Sequence, residues 1–381
     1  MHLLFPQDKI NLSKLMAKEK TSKKEMSIKQ HHQITKRISN IFDLYLLREF
    51  KKRDDADTLL FLYKKFLKRR VGKEHLFPTL VYIASKLFEV ETDAKYSNLM
   101  PLMTMAEMTM WWSYGIDWII DQENMEFPKE VPEVLIASQY LLSEFTYFDL
   151  QLSGAILNSY SILLRGVMES FWVDGIDLRI TKYQQLQDSQ RFWKLYNIRN
   201  TKSIAGLLSP FCFELVSQYF RCNVQKETLS RIVKMMTRFG ACVQIINDVS
   251  DLMMPNPIIT STEKRPVKDY FVDIRDDRLT YPIWLLLNNS KRDNRQLFLK
   301  IIKSAKNKKY NKGFEEKVFN YIKEKGIMEE IISFLKKEEK HMRKEIKKLN
   351  IKNHGTDLLK ILSAMITHNK FLVQIKKDYT L

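Results

Sequence analysis

The sequence predicts an all-α protein, and three observations lead to that fold class. Apolar residues recur at spacings of three and four over most of the chain, and no stretch of any length alternates with a period of two. Its 381 residues include only ten glycines and ten prolines, and neither a GxGxxG nor a GxxxxGK loop is present, which argues against a nucleotide-binding α/β fold. Hydrophobic residues make up 45% and aromatic residues 12%, enough to bury a large core.

The elements follow in order. Met1 to Phe5 is apolar but too short for a signal peptide, and residues 6–36 are Lys-rich yet contain Asp8, Glu19 and Glu25, unlike an acid-poor transit peptide. Residues 1–40 are therefore expected to form a flexible basic extension. Helices are predicted from about Pro78 to Val90 and from Pro101 to about Asn124, with Pro128 and Pro132 breaking the chain beyond. Further helices cover about 134–148, 151–177, 186–197, 203–221 and 226–253. Pro255 and Pro257 make the stretch Asp251 to Thr262 a loop. A helix resumes near Tyr281-Pro282, where proline suits the first turn. Residues 313–348 and 355–377 read as amphipathic helices. Residues 41–300 thus form the main domain, and 301–381 are Lys-rich helices packed on it or extending it.

The net charge of +18 is unevenly spread. Residues 1–73 carry 19 Lys/Arg against 8 Asp/Glu and residues 287–381 carry 24 against 11, whereas the middle carries 20 against 26. No zinc-finger, basic-zipper or RNP-type signature accompanies the charge, so nucleic acid is not an expected partner. The runs Lys306 to Lys312 and Lys336 to Lys344 read as solvated helix faces, with peripheral contact to an anionic membrane as the weaker alternative. Cys212, Cys222 and Cys242 form no CxxC pair, so neither a disulfide framework nor a structural zinc site is supported. A reducing, cytoplasmic location fits best. No run approaches the eighteen or so apolar residues that a transmembrane helix needs.

Two acidic clusters stand at the ends of apolar helices. In Gln244-Ile-Ile-Asn247-Asp248-Val-Ser-Asp251, Asn247 and Asp251 lie one turn apart and share a helix face. Hard divalent cations take such oxygens, and Mg²⁺ uses one or two carboxylates while water and phosphate fill its other positions. Alone, this cluster reads more readily as an N-terminal cap or a solvated acidic face. Its partner is Glu107-Met-Thr-Met-Trp-Trp-Ser113-Tyr-Gly-Ile-Asp117-Trp-Ile-Ile-Asp121, where Asp117 and Asp121 are again at i and i+4. Trp111, Trp112, Trp118, Ile119 and Ile120 surround these acids, and buried acids without partners are expensive. Two such helices facing each other across a cavity could bridge Mg²⁺ to a diphosphate and neutralise a departing pyrophosphate. Ionisation of an allylic substrate then becomes feasible.

From about Gly72 to Leu287 the sequence resembles the trans-isoprenyl (polyprenyl) diphosphate synthases and the class I terpene synthases built on the same fold. Glu107, Met108, Ser113, Asp117 and Asp121 match the first aspartate-rich motif, with Trp118 replacing its second aspartate. Gly240, Gln244, Asn247, Asp248 and Asp251 match the second. The stretch from Lys268 through Asp273-Ile274 and Arg278 to Thr280-Tyr281-Pro282 looks like the family's KxxxxDIxxGKxTYP, the most specific match of all. Lys202-Ser203 stands where the family has Lys-Thr, and Asp174 and Asp177 fall near its GQxxD position.

The resemblance implies an isoprenoid-synthase-like helical bundle around a central active-site cavity, three Mg²⁺ ions, an allylic prenyl diphosphate as ligand, and a homodimer. It implies Asp117, Asp121, Asn247 and Asp251 as metal ligands, with Asp248 beside them in the catalytic cluster. Lys202, Lys268, Arg278 and Gln244 would contact the diphosphate, while Trp111, Trp112, Ser113 and Trp118 would line the pocket, where aromatic faces stabilise cations. Trp112, five residues before Asp117, points to a short substrate of about C10–C20 by the same resemblance.

The departures bear on the second substrate. Elongating members bind isopentenyl diphosphate through a GGKRxRP motif, a histidine before the first aspartate-rich motif and an Arg-Arg pair after it. Here those places hold Lys73-Glu74-His75-Leu76-Phe77-Pro78, Met110, and the stretch Gln122 to Pro128 without an arginine pair. Losing several charge-assisted contacts of about 1.5–3 kcal/mol each should nearly abolish that site. The expectation is therefore a terpene synthase that ionises a preformed allylic diphosphate without isopentenyl diphosphate. A prenyltransferase is the alternative, either elongating or using another acceptor, because Asp251 and Pro255 stand where microbial cyclases carry the serine and glutamate of NDxxSxxxE. A non-catalytic subunit of a heteromeric synthase is the third reading.

Overall fold

A computed structural model describes residues 28–54, 56–57, 60–61, 75–93, 95–121, 154–251, 272–275, 277–289, 296, 299 and 320–368. These residues build helices α1 (Ile28–Phe50), α2 (Leu76–Leu87), α3 (Met100–Asp121) and α4 (Gly154–Trp172). A π turn (Val173–Asp177) and a 3₁₀ helix (Ile180–Leu186) follow. Then come α5 (Ser189–Thr201), α6 (Ile204–Tyr219), α7 (Lys226–Asp251), a single helical turn at Val272–Arg275, α8 (Tyr281–Asn288), α9 (Ile327–Lys348) and α10 (His354–His368). Among the described residues there is no β-strand, and β-type pairing is confined to an isolated bridge between Arg179 and Arg278. The fold is all-α, as the apolar periodicity predicts. The helices expected at 134–148 and the loop expected after Asp251 lie outside the described residues.

Local chemistry sets the helix ends. Asp188 caps α5 by accepting from the Gln190 amide at 2.9 Å, and the Ser203 hydroxyl caps α6 by accepting from Gly206 at 3.0 Å. Pro282 occupies the first turn of α8. Gly326, at φ 61°, takes the left-handed conformation that ends the preceding helical segment, so the helix predicted over 313–348 resolves into α9 from Ile327.

One boundary moves. The helix α1 starts at Ile28, well inside the stretch expected to be a flexible extension, and buries Thr35, Ile38, Phe42, Leu46 and Phe50. These residues recur at three and four, a pattern that the intervening lysines and histidines obscure in the sequence.

The helix α6 is the central element, packed against α7, α4, α3 and α2. Its closest approach is to α7. A β-carbon added at Gly240 would lie 2.0 Å from the Ala205 carbonyl oxygen and 2.6 Å from the Gly206 nitrogen, so only glycine lets the two backbones meet there. Both obstructing groups are backbone and cannot rotate away. Gly240→Ala is therefore expected to destabilise the protein by at least about 1–3 kcal/mol, read as a lower denaturant midpoint; an unchanged midpoint would show that the crossing can open without loss.

On the outer side, α9 runs antiparallel to α7, fixed by Arg231 to Glu345 at 2.7 Å and Arg238 to Glu338 at 2.8 Å. Helix α10 returns across α2, with Gly355 pressed on the Leu87 backbone. The described C-terminal helices thus pack on the same body as the core. Among the described residues no helix is long and apolar enough to cross a membrane. The three cysteines are unpaired, Cys212 and Cys242 being buried.

Candidate active site

Where α6 begins against α7, the bundle leaves a cavity of about 280 Å³. Helix α3 contributes Met110, Ser113 and Asp117, one stripe at i, i+3 and i+7. Helix α7 contributes Val243, Gln244 and Asn247, and the start of α6 contributes Ser203, Ile204 and Ala205. Asp174 from the π turn, Arg199 from α5, and Leu76 and Phe77 from α2 also face it. The two acidic motifs, 130 positions apart in sequence at Asp117 and Asn247, therefore open onto one space.

A buried ionic network runs from the cavity lining into the wall. Arg199 donates to both oxygens of Asp248, Nη1 at 2.8 Å and Nη2 at 3.0 Å, and its Nε donates to Asp174. The Tyr196 hydroxyl donates to Asp248 at 2.8 Å, and the Gln244 amide reaches it at 3.4 Å. Burial alone would lower the Arg199 pKa, but the carboxylates of Asp174 and Asp248 outweigh it and hold the guanidinium well above its usual range. Asp248 is 1% exposed and is not among the residues that line the cavity; it belongs to this network, bonded to the cavity-lining Arg199 and Gln244. The reason is rotational: one residue along a helix turns the side chain by about 100°, from the cavity at Asn247 into the wall at Asp248.

Arg278 is the second buried cation. Its Nη1 lies 3.5 Å from Asp174 and 4.0 Å from Asp273, and desolvation lowers its pKa while the charge of Asp117 opposes that shift. Its segment is clipped in place by the backbone. Ile180 donates to the Asp277 carbonyl at 2.9 Å, Leu279 donates to Leu178 at 2.8 Å, and Thr181 donates twice to the Asp277 carboxylate. Tyr281 then packs against Trp193, Tyr196 and Phe334, and Trp284 stacks on Phe192 with centroids 4.5 Å apart. The most specific sequence match in the chain is thus, over its described part, a structural clip that carries Arg278 to Asp174.

Several expected residues sit elsewhere. Trp111 is buried and donates its ring N–H to Glu107 at 2.9 Å, and Trp112 is buried 5% exposed; both belong to the core rather than to the cavity lining. Of the expected pocket residues with described side chains, Ser113 alone lines it, and its buried hydroxyl has no hydrogen-bond partner among the described residues. Lys202 pairs with Glu169 at 2.5 Å on a partly exposed surface and does not line the cavity. Asp121 and Asp251 lie on α3 and α7, but their side chains, like those of Trp118 and Lys268, fall outside the described residues.

In the stretch before α2, the buried His75 ring is held between Glu107 at 2.5 Å and Asp43 at 2.6 Å. It faces carboxylates on both sides and does not line the cavity. The next two residues, Leu76 and Phe77, turn their apolar side chains into it. Sequence reasoning missed Arg199 altogether, since within Asn197-Ile-Arg-Asn-Thr-Lys202 nothing distinguishes a buried arginine from a surface one. Asp174 drew notice only through its nearness to a motif position. Its single-turn π segment, which sets its aim, follows from tertiary packing.

No protein-family model and no curated protein matches the sequence. The fold does match solved structures. It superposes with a TM-score of 0.70 and 11% identity on the polyprenyl synthase of Caulobacter crescentus CB15 complexed with calcium and isoprenyl diphosphate, over 92% of this chain and 100% of that one. The decaprenyl diphosphate synthase of Rhodobacter capsulatus gives a TM-score of 0.66 at 12% identity, covering 90% and 99%. The geranylgeranyl pyrophosphate synthase of Corynebacterium glutamicum, complexed with isoprenyl diphosphate and magnesium, gives 0.64 at 14%, covering 91% and 100%. The chain has the isoprenyl diphosphate synthase fold.

Within this isoprenyl synthase fold, the donor set of the cavity suits a hard cation. Among the described residues no three Asp, Glu, His or Cys side chains converge as a cage. The oxygen-bearing side chains of the lining are the Asp117 and Asp174 carboxylates, the Asn247 and Gln244 amides and the hydroxyls of Ser113, Ser170 and Ser203. Such a set, in which the Asp117 carboxylate lines the cavity while Asp174 is held by Arg199 and Arg278, fits Mg²⁺ that takes few protein carboxylates and shares a phosphate.

Proposed function

We propose that this protein is a Mg²⁺-dependent prenyltransferase that ionises an allylic prenyl diphosphate and passes the allylic cation to an acceptor. The observation that carries the reading is the shared cavity, to which Asp117 of the first acidic motif and Gln244 and Asn247 of the second both contribute. The solved structures of this fold named above are all prenyl-chain synthases, which supports transfer over cyclisation.

On this reading Asp117, Asp121, Asn247 and Asp251 hold Mg²⁺, which when bound neutralises the leaving diphosphate. The bond from the allylic carbon to the diphosphate oxygen breaks with its electron pair leaving on oxygen. The acceptor then supplies the pair for the new bond and loses a proton. The apolar side chains at Leu76, Phe77 and Met110 shape the side that receives the hydrocarbon, and the Ser113 hydroxyl offers a donor toward the bound substrate. Lys268 and Arg278 complete the charge balance, Arg278 by bracing Asp174. The homodimer expected from the resemblance is supported by the exposed Leu157, Ile162, Met168 and Trp172 along α4.

One observation favours a second reading. Leu76, Phe77 and Met110 stand where a second diphosphate needs cations, which suits a cyclase acting on a single substrate. The deciding experiment is incubation of the purified protein with Mg²⁺ and geranyl, farnesyl or geranylgeranyl diphosphate, with and without isopentenyl diphosphate. Longer diphosphates formed only with isopentenyl diphosphate support prenyl transfer. Cyclic or volatile products without it support the cyclase and overturn transfer. Turnover only in the presence of a partner protein moves the chain to the non-catalytic subunit class.

A further inference from the structure

We propose that the outer face of α9 is a docking surface for anionic lipid. Beyond Lys336 every exposed side chain on this helix is cationic. Lys336, Lys337, Lys340, Lys344 and Lys347 are all exposed, and among the described residues none of them has an ion pair or hydrogen bond. On a helical projection they fall within about 100° of one another, forming a row roughly 17 Å long. The acids of the same stretch are turned away. Glu338 meets Arg238 and Glu345 meets Arg231, both across the α7 contact, while Glu339 accepts from Arg343 and Thr367. Held by Lys348 and Arg231, the Glu345 carboxyl is lowered to about 2 and stays charged within its own pairs. Charge is therefore segregated: the acids are neutralised against the protein, and the lysines are left to solvent.

Lys234, between the two paired arginines on α7, is exposed beside this row, and Lys352 continues past the end of α9. The face is a single convex helix with no aromatic side chain on it, unlike the grooves and stacking platforms that hold nucleic acid. A straight cationic row on a convex surface suits a plane of anionic headgroups, where each lysine is worth about fivefold in binding. The inference stands apart from the catalytic reading, since it concerns α9 and not the cavity.

The test uses the intact protein and sedimentation with vesicles of phosphatidylcholine alone or with about a third phosphatidylserine, at low and high salt. Wild type should bind the anionic vesicles and release at high salt. The variant K336Q/K337Q/K340Q/K344Q/K347Q should bind at least about thirtyfold more weakly, and the matching five-arginine variant should bind like wild type. The pair K340Q/K344Q, a smaller change, should show an intermediate loss even if the fivefold variant folds poorly. Equal binding by the glutamine variants and wild type would assign the affinity to other basic stretches and overturn the proposal. So would absence of anionic-vesicle binding, or tighter binding of a 20-base-pair duplex that the same substitutions abolish.

Discussion

Asp117→Asn is expected to lower the rate of pyrophosphate release from an allylic diphosphate by about 10²–10³, the usual loss when one preorganised electrostatic group is removed from a reacting centre. The substitution keeps size and shape while deleting a charge that faces the cavity opposite Asn247. On the proposed reading, in which Asp117 would hold Mg²⁺, added Mg²⁺ should restore little, because the other described carboxylate of the cavity, Asp174, is already engaged by Arg199 and Arg278. Folding should change far less, since Arg278 retains Asp174 and Asp273 when the Asp117 charge is gone. Pyrophosphate release measured with a coupled phosphate assay, alongside thermal unfolding, separates the two effects. Release near the wild-type rate would remove the paired-motif mechanism.

Arg199→Met should have the largest effect on stability, about 3–5 kcal/mol, seen as a fall of several degrees in the unfolding midpoint. A single guanidinium lies between Asp174 and Asp248, and removing it leaves Asp248 without its cation in a buried wall and Asp174 with Arg278 alone, at 3.5 Å. Arg199→Lys keeps the charge but not the three-way fork, so it should recover only part of the loss. Adding Asp248→Asn to Arg199→Met should restore stability relative to the single variant, because it removes the charge that has lost its cation. Strict additivity of the two substitutions would show that the network is not coupled.

The fold was legible because it rests on periodicity: α2, α3, α6 and α7 lie within a few residues of their expected spans. The N-terminal boundary was not, since in α1 the polar residues between Ile34, Ile38 and Phe42 hide a core-facing stripe. At the site, Asp117 and Asn247 were found through their spacing, which a helix turns directly into a shared face. The bonding of Asp248 to Arg199 was not legible, because motif membership says nothing about which partner a buried neighbour meets. Arg199 was invisible for a different reason. Its role is defined by partners 25 positions before it and 49 after it, and no local pattern encodes such a meeting.

The crossing at Gly240 limits how this protein can change. On one side of the cavity, α6 and α7 touch backbone to backbone and α5 is tied to α7 through ions, so that wall has no slack to shift in response to a new ligand. From α2 and α3 the lining also takes Leu76, Phe77 and Met110, side chains with no polar obligations. Variation in what the cavity accepts therefore has a natural address. New specificities are more accessible by exchanging those three side chains than by moving helices, and a library confined to them would sample cavity shapes without disturbing the scaffold.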